Sequence, residues 1–100
     1  MPQAFKEEFP EVAAMFDSYG HVNNLDMDKF KRQLQVEKWQ RLHPSFKEDF
    51  QRVIRDRLIT MEEHARLTDI DFETDDELFE YLQKIFDYLY KDGPYPVAYE

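Results

Sequence analysis

Residues 74–89 read Thr-Asp-Asp-Glu-Leu-Phe-Glu-Tyr-Leu-Gln-Lys-Ile-Phe-Asp-Tyr-Leu. Leu78, Leu82, Ile85, Phe86 and Leu89 recur at three- and four-residue intervals, the spacing that lines one face of an α-helix. Thr74 and Glu77 stand in the Thr-x-x-Glu relation of a capping box at its start, and Gly93-Pro94 is a stop signal of the expected kind. The same grammar recurs upstream. Thr60 and Glu63 form a second box, opening a short helix whose inward residues are expected to be Met61, Ala65 and Leu67. Ser45 and Glu48 form a third, ahead of the stripe Phe46, Phe50, Val53, Ile54 and Leu58. Nearer the N-terminus, Phe9, Val12, Ala13 and Phe16 predict a helix over about 10–19, with Pro10 in its first turn and Gly20 as a left-handed cap. Asp26 or Asn24 can cap another helix with the face Met27, Phe30 and Leu34; its end is blurred by Val36 and Trp39.

Two glycines, five prolines and no alternating apolar pattern leave nothing that asks for a sheet. The fold class expected is all-α: a single compact bundle of about five helices spanning 1–100, with residues 92–100 as a tail without helical period. One hundred residues is the length of one small domain. Val, Ile, Leu and Phe together number 26, above the roughly 20% below which a highly charged chain stays disordered. Nine Phe, six Tyr and one Trp must supply much of a modest core. No apolar run approaches the ~20 residues of a membrane span and the N-terminus has no signal-peptide pattern, so a cytoplasmic protein without a membrane partner is expected.

The formal net charge of −9 argues against a surface that lies on nucleic acid or anionic lipid and favours a cationic partner. The charge is segregated. Residues 1–30 carry two basic and six acidic side chains, residues 31–68 nine and six, and residues 69–100 two and ten. Arg52, Arg55, Arg57 and Arg66 belong to the basic middle, where they alternate with acids on predicted helices, a pattern of intramolecular pairing. The acidic cluster Asp69, Asp71, Glu73, Asp75, Asp76, Glu77 and Glu80 repels itself, a cost that a cationic partner would relieve. It reads either as a docking face or as a solubility surface. Tyr81 and Tyr88, two turns apart beside the cluster, are the candidate anchors of such a face or else rings edging the core with their hydroxyls in water. Tyr95 and Tyr99 are either tail packing or contact residues.

The inventory for catalysis is poor. With no cysteine, thiol chemistry and thiolate metal sites are excluded. Ser18 and Ser45 sit at helix ends, and His21, His43 and His64 lack metal-binding spacing; each histidine is expected at the surface or at a helix end. No catalytic residue, metal site or cofactor is expected. The run from Asp69 to Glu80 places acids at positions 1, 3, 5, 7, 9 and 12 of a calcium EF-hand, but Thr74 occupies the position that requires glycine and Asp76 one that is normally apolar.

The opening Phe9-Pro10-Glu11-Val12, Tyr19 after a short helix, an acid-capped second helix, and the ending Leu67-Thr-Asp-Ile-Asp-Phe-Glu-Thr-Asp-Asp-Glu-Leu-Phe-Glu-Tyr-Leu82 together resemble the immunity proteins of contact-dependent growth inhibition. The resemblance covers most of the chain. It departs after Tyr19, where members of that family continue with an aromatic-x-x-Asp-Trp stretch and this chain has Gly20-His21-Val22-Asn23-Asn24. The resemblance implies a small cytoplasmic protein that binds and neutralises a cognate toxin domain, commonly a nuclease, and it carries over no contact residues. A nuclease holds a polyanion in a basic cleft, which an acidic helical bundle could cover. The alternative is a small acidic helical calcium-binding or structural protein with no toxin partner. Oligomeric state is not legible.

Overall fold

A computed structural model describes residues 4–23 and 25–98. Asn24 and Tyr99 lie outside the described residues. Among the described residues seven helices follow one another: α1 (Phe5–Glu8), α2 (Pro10–Tyr19), α3 (Met27–Gln33), α4 (Glu37–Leu42), α5 (Phe46–Asp56), α6 (Met61–Thr68) and α7 (Asp75–Tyr90). Among the described residues there is no strand, so the chain is all-α as its spacing predicts. The two helices beyond the expected five are the short α1 and α4. The first is a single turn ahead of Pro10, and the second occupies the stretch where Val36 and Trp39 blur the end of α3.

Helix α2 packs on α1, α3, α5 and α6, while α7 packs on α5 and α3. Phe16 and Phe50 link these halves: their rings meet edge to face at 6.1 Å, and Phe50 continues to Phe86 on α7 at 6.0 Å. Phe46 extends the chain of rings to Phe30 and Trp39, at 5.3 and 5.5 Å. Phe16, Phe46 and Phe50 are fully buried. Burying each contributes about 1.5–3 kcal/mol, and each well-placed ring pair about 0.5–1.5 kcal/mol more, which is how so small a body finds its core. The radius of gyration of 12.8 Å is that of a compact chain of this length, about 13 Å.

Local chemistry departs from expectation at several helix ends. Thr60 and Glu63 form the complete reciprocal box. Thr74 accepts from the Glu77 N–H, and Glu77 reaches back one residue further than a box requires, to the Glu73 N–H. Ser45 forms no side-chain cap bond; its ψ of 1° replaces the extended conformation a capping hydroxyl uses. Gly20 is not left-handed either (φ −107°). A Cβ there would lie 3.0 Å from the Phe16 carbonyl oxygen and 3.2 Å from Met27 Cε, so glycine serves close approach of α3 to the end of α2. At the end of α7 the left-handed residue is Asp92, φ 54°, and not Gly93.

Helix α6 is rotated relative to expectation. His64 and Thr68, four residues apart, lie on its buried line, while Met61, Ala65 and Leu67 flank it half-buried. The expectation that every histidine sits at the surface or a helix end fails for His64, which is 1% exposed. Thr68 tolerates burial because its hydroxyl donates to the His64 carbonyl oxygen within the same helix.

Candidate interaction surface

The acidic cluster is built by two successive periodicities. From Asp69 to Glu73 the chain is non-helical, and Ile70 and Phe72 turn inward while Asp69, Asp71 and Glu73 turn to solvent. Thr74 then caps α7 and places Asp75, Asp76 and Glu77 in its first turn, where the helix dipole favours negative charge. Glu80 follows one turn on. All seven carboxylates are exposed.

Some of this charge serves the fold. Asp76 accepts from Arg57 at 2.8 Å, and the Arg57 guanidinium lies over the Phe79 ring at 5.1 Å. Glu77 is occupied by the Glu73 N–H at 3.2 Å. Asp69 ends α6 with φ 59°. The EF-hand spacing is divided in the same way: the residues before Thr74 are non-helical, and those after it are helical. Among the described residues no three or more His, Asp or Glu side chains come together in a metal-binding group.

Neither proposed tyrosine anchor stands beside these acids as a free contact residue. Tyr81 is 3% exposed and packs against Phe72 and His64, at 5.5 and 6.3 Å. Its place on the helix widens the apolar face of α7, so it belongs to the core. Tyr88 lies toward the other end of α7, about 16 Å beyond Glu77 at 1.5 Å per residue. It is half-buried, donates to Asp28 at 3.0 Å, meets Tyr95 edge to face at 5.1 Å and carries Lys31 Nζ over its ring at 4.6 Å. Desolvation, and then the Asp28 hydrogen bond, raise its phenolic pKa. Tyr95 in turn accepts from the Met27 N–H at 3.0 Å. These residues tie the tail and α3 to α7, which leaves the exposed carboxylates as the candidate surface.

The histidines serve separate ends. His21 Nδ1 accepts from the Asn23 N–H at 3.0 Å, a local turn contact. His64 is sealed in the core. His43 caps α4, stacks at a tilt on Trp39 with centroids 4.8 Å apart, and brings Nδ1 within 3.1 Å of Glu11 Oε1. Together with Tyr19 and Phe30, these three residues line a surface groove of about 330 Å³ between α2 and α4. The four-residue step from Trp39 to His43 is the one local signal of this groove in the sequence; its pairing with Glu11 depends on tertiary structure.

No helix among the described residues is long and apolar enough to cross a membrane. The chain matches no protein-family model, no curated protein and no solved structure.

Proposed function

We propose that this chain is a cytoplasmic immunity protein that binds and neutralises a cognate bacterial toxin domain, with a basic nuclease as the partner its charge fits best. The carrying observation is the edge formed by the 69–74 linker and the first turns of α7, where seven carboxylates are exposed together. Such an edge steers a positively charged partner and discriminates against others, while buried anchors supply most of the affinity. The resemblance of its motif order to that of the immunity proteins of contact-dependent growth inhibition supports the same reading.

The test is genetic and then biochemical. The C-terminal domain encoded immediately upstream of this gene is co-expressed with and without the chain. Toxicity that the chain abolishes, together with co-purification of the two proteins, is the expected result. A harmless neighbour, or killing that proceeds unchanged with the chain present, refutes the assignment.

A further inference from the structure

Glu11 is short of donors. It sits in the first turn of α2 with its side chain one-third exposed, yet its Oε2 is sealed from solvent and has no hydrogen-bond donor among the described residues. Its Oε1 lies 3.1 Å from His43 Nδ1. A second carboxylate adds to the negative potential: burial, and then the charge of Glu11, raise the Asp49 pKa. A carboxylate with one oxygen sealed from solvent and without a donor is an exception among native structures and calls for an explanation.

The surroundings indicate what is missing. The groove beside Glu11 is walled by Tyr19, Phe30, Trp39 and His43, floored by Met15, and lined by no lysine or arginine. Helix α2 itself bears Glu11 and Asp17 and no basic residue. Trp39, the only tryptophan in the chain, is half-buried, so part of the indole remains at the surface. Aromatic walls around one under-satisfied carboxylate match a planar cation that can stack on a ring and donate two parallel N–H bonds. Guanidinium does both; an ammonium group offers only a point charge, and a neutral apolar side chain leaves the carboxylate as it is.

We infer that the α2–α4 groove is a receptor for an arginine side chain of a protein partner, with Glu11 accepting the guanidinium fork and Trp39 stacking on it. Binding requires the His43 ring to yield its place against Glu11 Oε1 and the Glu11 carboxylate to turn so that Oε2, sealed from solvent here, reaches the groove. The inference deepens the proposed function by naming an anchor for the basic partner at a site separate from the acidic edge. A buried arginine on a tryptophan is the type of contact that concentrates binding energy at interfaces, whereas the exposed carboxylates of the edge act mainly on association rate.

The test needs no toxin, so the two proposals fail separately. The full chain is titrated with N-acetyl-arginine amide while Trp39 fluorescence is followed, and in parallel with N-acetyl-citrulline amide, the uncharged isostere, and N-acetyl-norleucine amide. A saturable response to the arginine compound, with a Kd on the order of 1–10 mM for a ligand of this size, is expected. Citrulline and norleucine compounds should give none in that range. Glu11→Gln should weaken arginine binding about tenfold, the order expected for loss of a charge-assisted pair. Equal responses to arginine and citrulline, a norleucine response as strong as either, or no response to the arginine compound each overturn the inference. The ligand comparison decides the matter even if Glu11→Gln fails to fold.

Discussion

Thr68 Oγ1 lies 2.8 Å from the backbone oxygen of His64 and 3.3 Å from Nδ1 of the same histidine, one turn back in α6. The hydroxyl has one proton, which goes to the carbonyl, and it also accepts from the Ile70 N–H at 3.2 Å. With that proton committed, Nδ1 can bond Oγ1 only when Nδ1 is the protonated nitrogen of the ring. Nε2 has no partner among the described residues, and the ring lies among Phe16, Phe72 and Tyr81. The site is built for a neutral imidazole.

Acid should therefore weaken the fold through His64. Burial lowers its pKa from 6.5 to about 4, with the nearby Ile70 backbone opposing the shift only in part. The unfolded chain takes up this proton near pH 6.5 and the folded chain does not until near pH 4, so stability falls as pH drops through that window and this group adds no further loss below it. Between about pH 7.5 and about pH 5 the loss from this group is about 2 kcal/mol, or a fall of roughly 1–2 M in the urea midpoint. His64→Leu should lack this component. An equal loss of stability in the variant and the parent over the same interval would show that another group controls the acid response.

The caps separate by mutation. Thr60→Ala removes a hydroxyl that accepts from the Glu63 N–H at 3.0 Å and breaks the reciprocal box at the start of α6. A loss of about 1 kcal/mol is expected. Ser45→Ala should change stability by less than about 0.5 kcal/mol, because Ser45 makes no cap bond to lose. Urea denaturation of both variants is the check, and equal losses would contradict the difference in geometry.

Those two residues show how far the sequence can be read. Thr60-x-x-Glu63 and Ser45-x-x-Glu48 are the same pattern in one dimension. The backbone entering α5 from Pro44 holds Ser45 at ψ 1°, whereas Thr60 enters α6 extended at ψ 160°. Long apolar stripes were legible because each repeats its signal: Leu78, Leu82, Ile85, Phe86 and Leu89 all reach the core. The four-residue α1 and six-residue α4 have too few turns to repeat one. The full burial of Tyr81 is not legible, because it lies beside the Leu82 stripe and a helix packed on two sides buries a wider face than a stripe suggests. The exposed acids of 69–80 were legible as a cluster, but the use of Asp76 by Arg57, nineteen residues away, was not. The meeting of Glu11 with His43 depends in the same way on how α2 and α4 come together.

Asp69 is a place where fold and charge conflict. It holds φ 59° at the C-terminal end of α6, so an L-residue occupies a left-handed position and a negative charge faces the negative end of the helix dipole. Asp69→Gly should stabilise the chain by about 0.5–1 kcal/mol, with Asp69→Asn recovering the charge component alone. Thermal unfolding at low salt measures both. A glycine variant less stable than the parent would mean that the aspartate makes a stabilising contact outweighing its conformation.

Reversing the acidic edge should act on association more than on the fold. Asp75 and Asp76 lie in the first turn of α7, and Asp76 also pairs with Arg57 across exposed surface. Lysine at Asp71, Asp75 and Asp76 together should cost about 1–2 kcal/mol of stability, since each dipole contact is worth about 0.3–1 kcal/mol and an exposed pair no more than about 1 kcal/mol. Encounter with a basic toxin domain depends on the summed field of the edge. The association rate at about 50 mM salt should fall tenfold or more, with dissociation much less affected, and the parent's rate should approach the variant's as salt rises toward about 500 mM. Stopped-flow mixing with the co-purified toxin domain gives both rates. If the parent complex forms equally fast across that salt range, the acidic edge does not steer the partner, and binding must then rest on anchors elsewhere on the bundle.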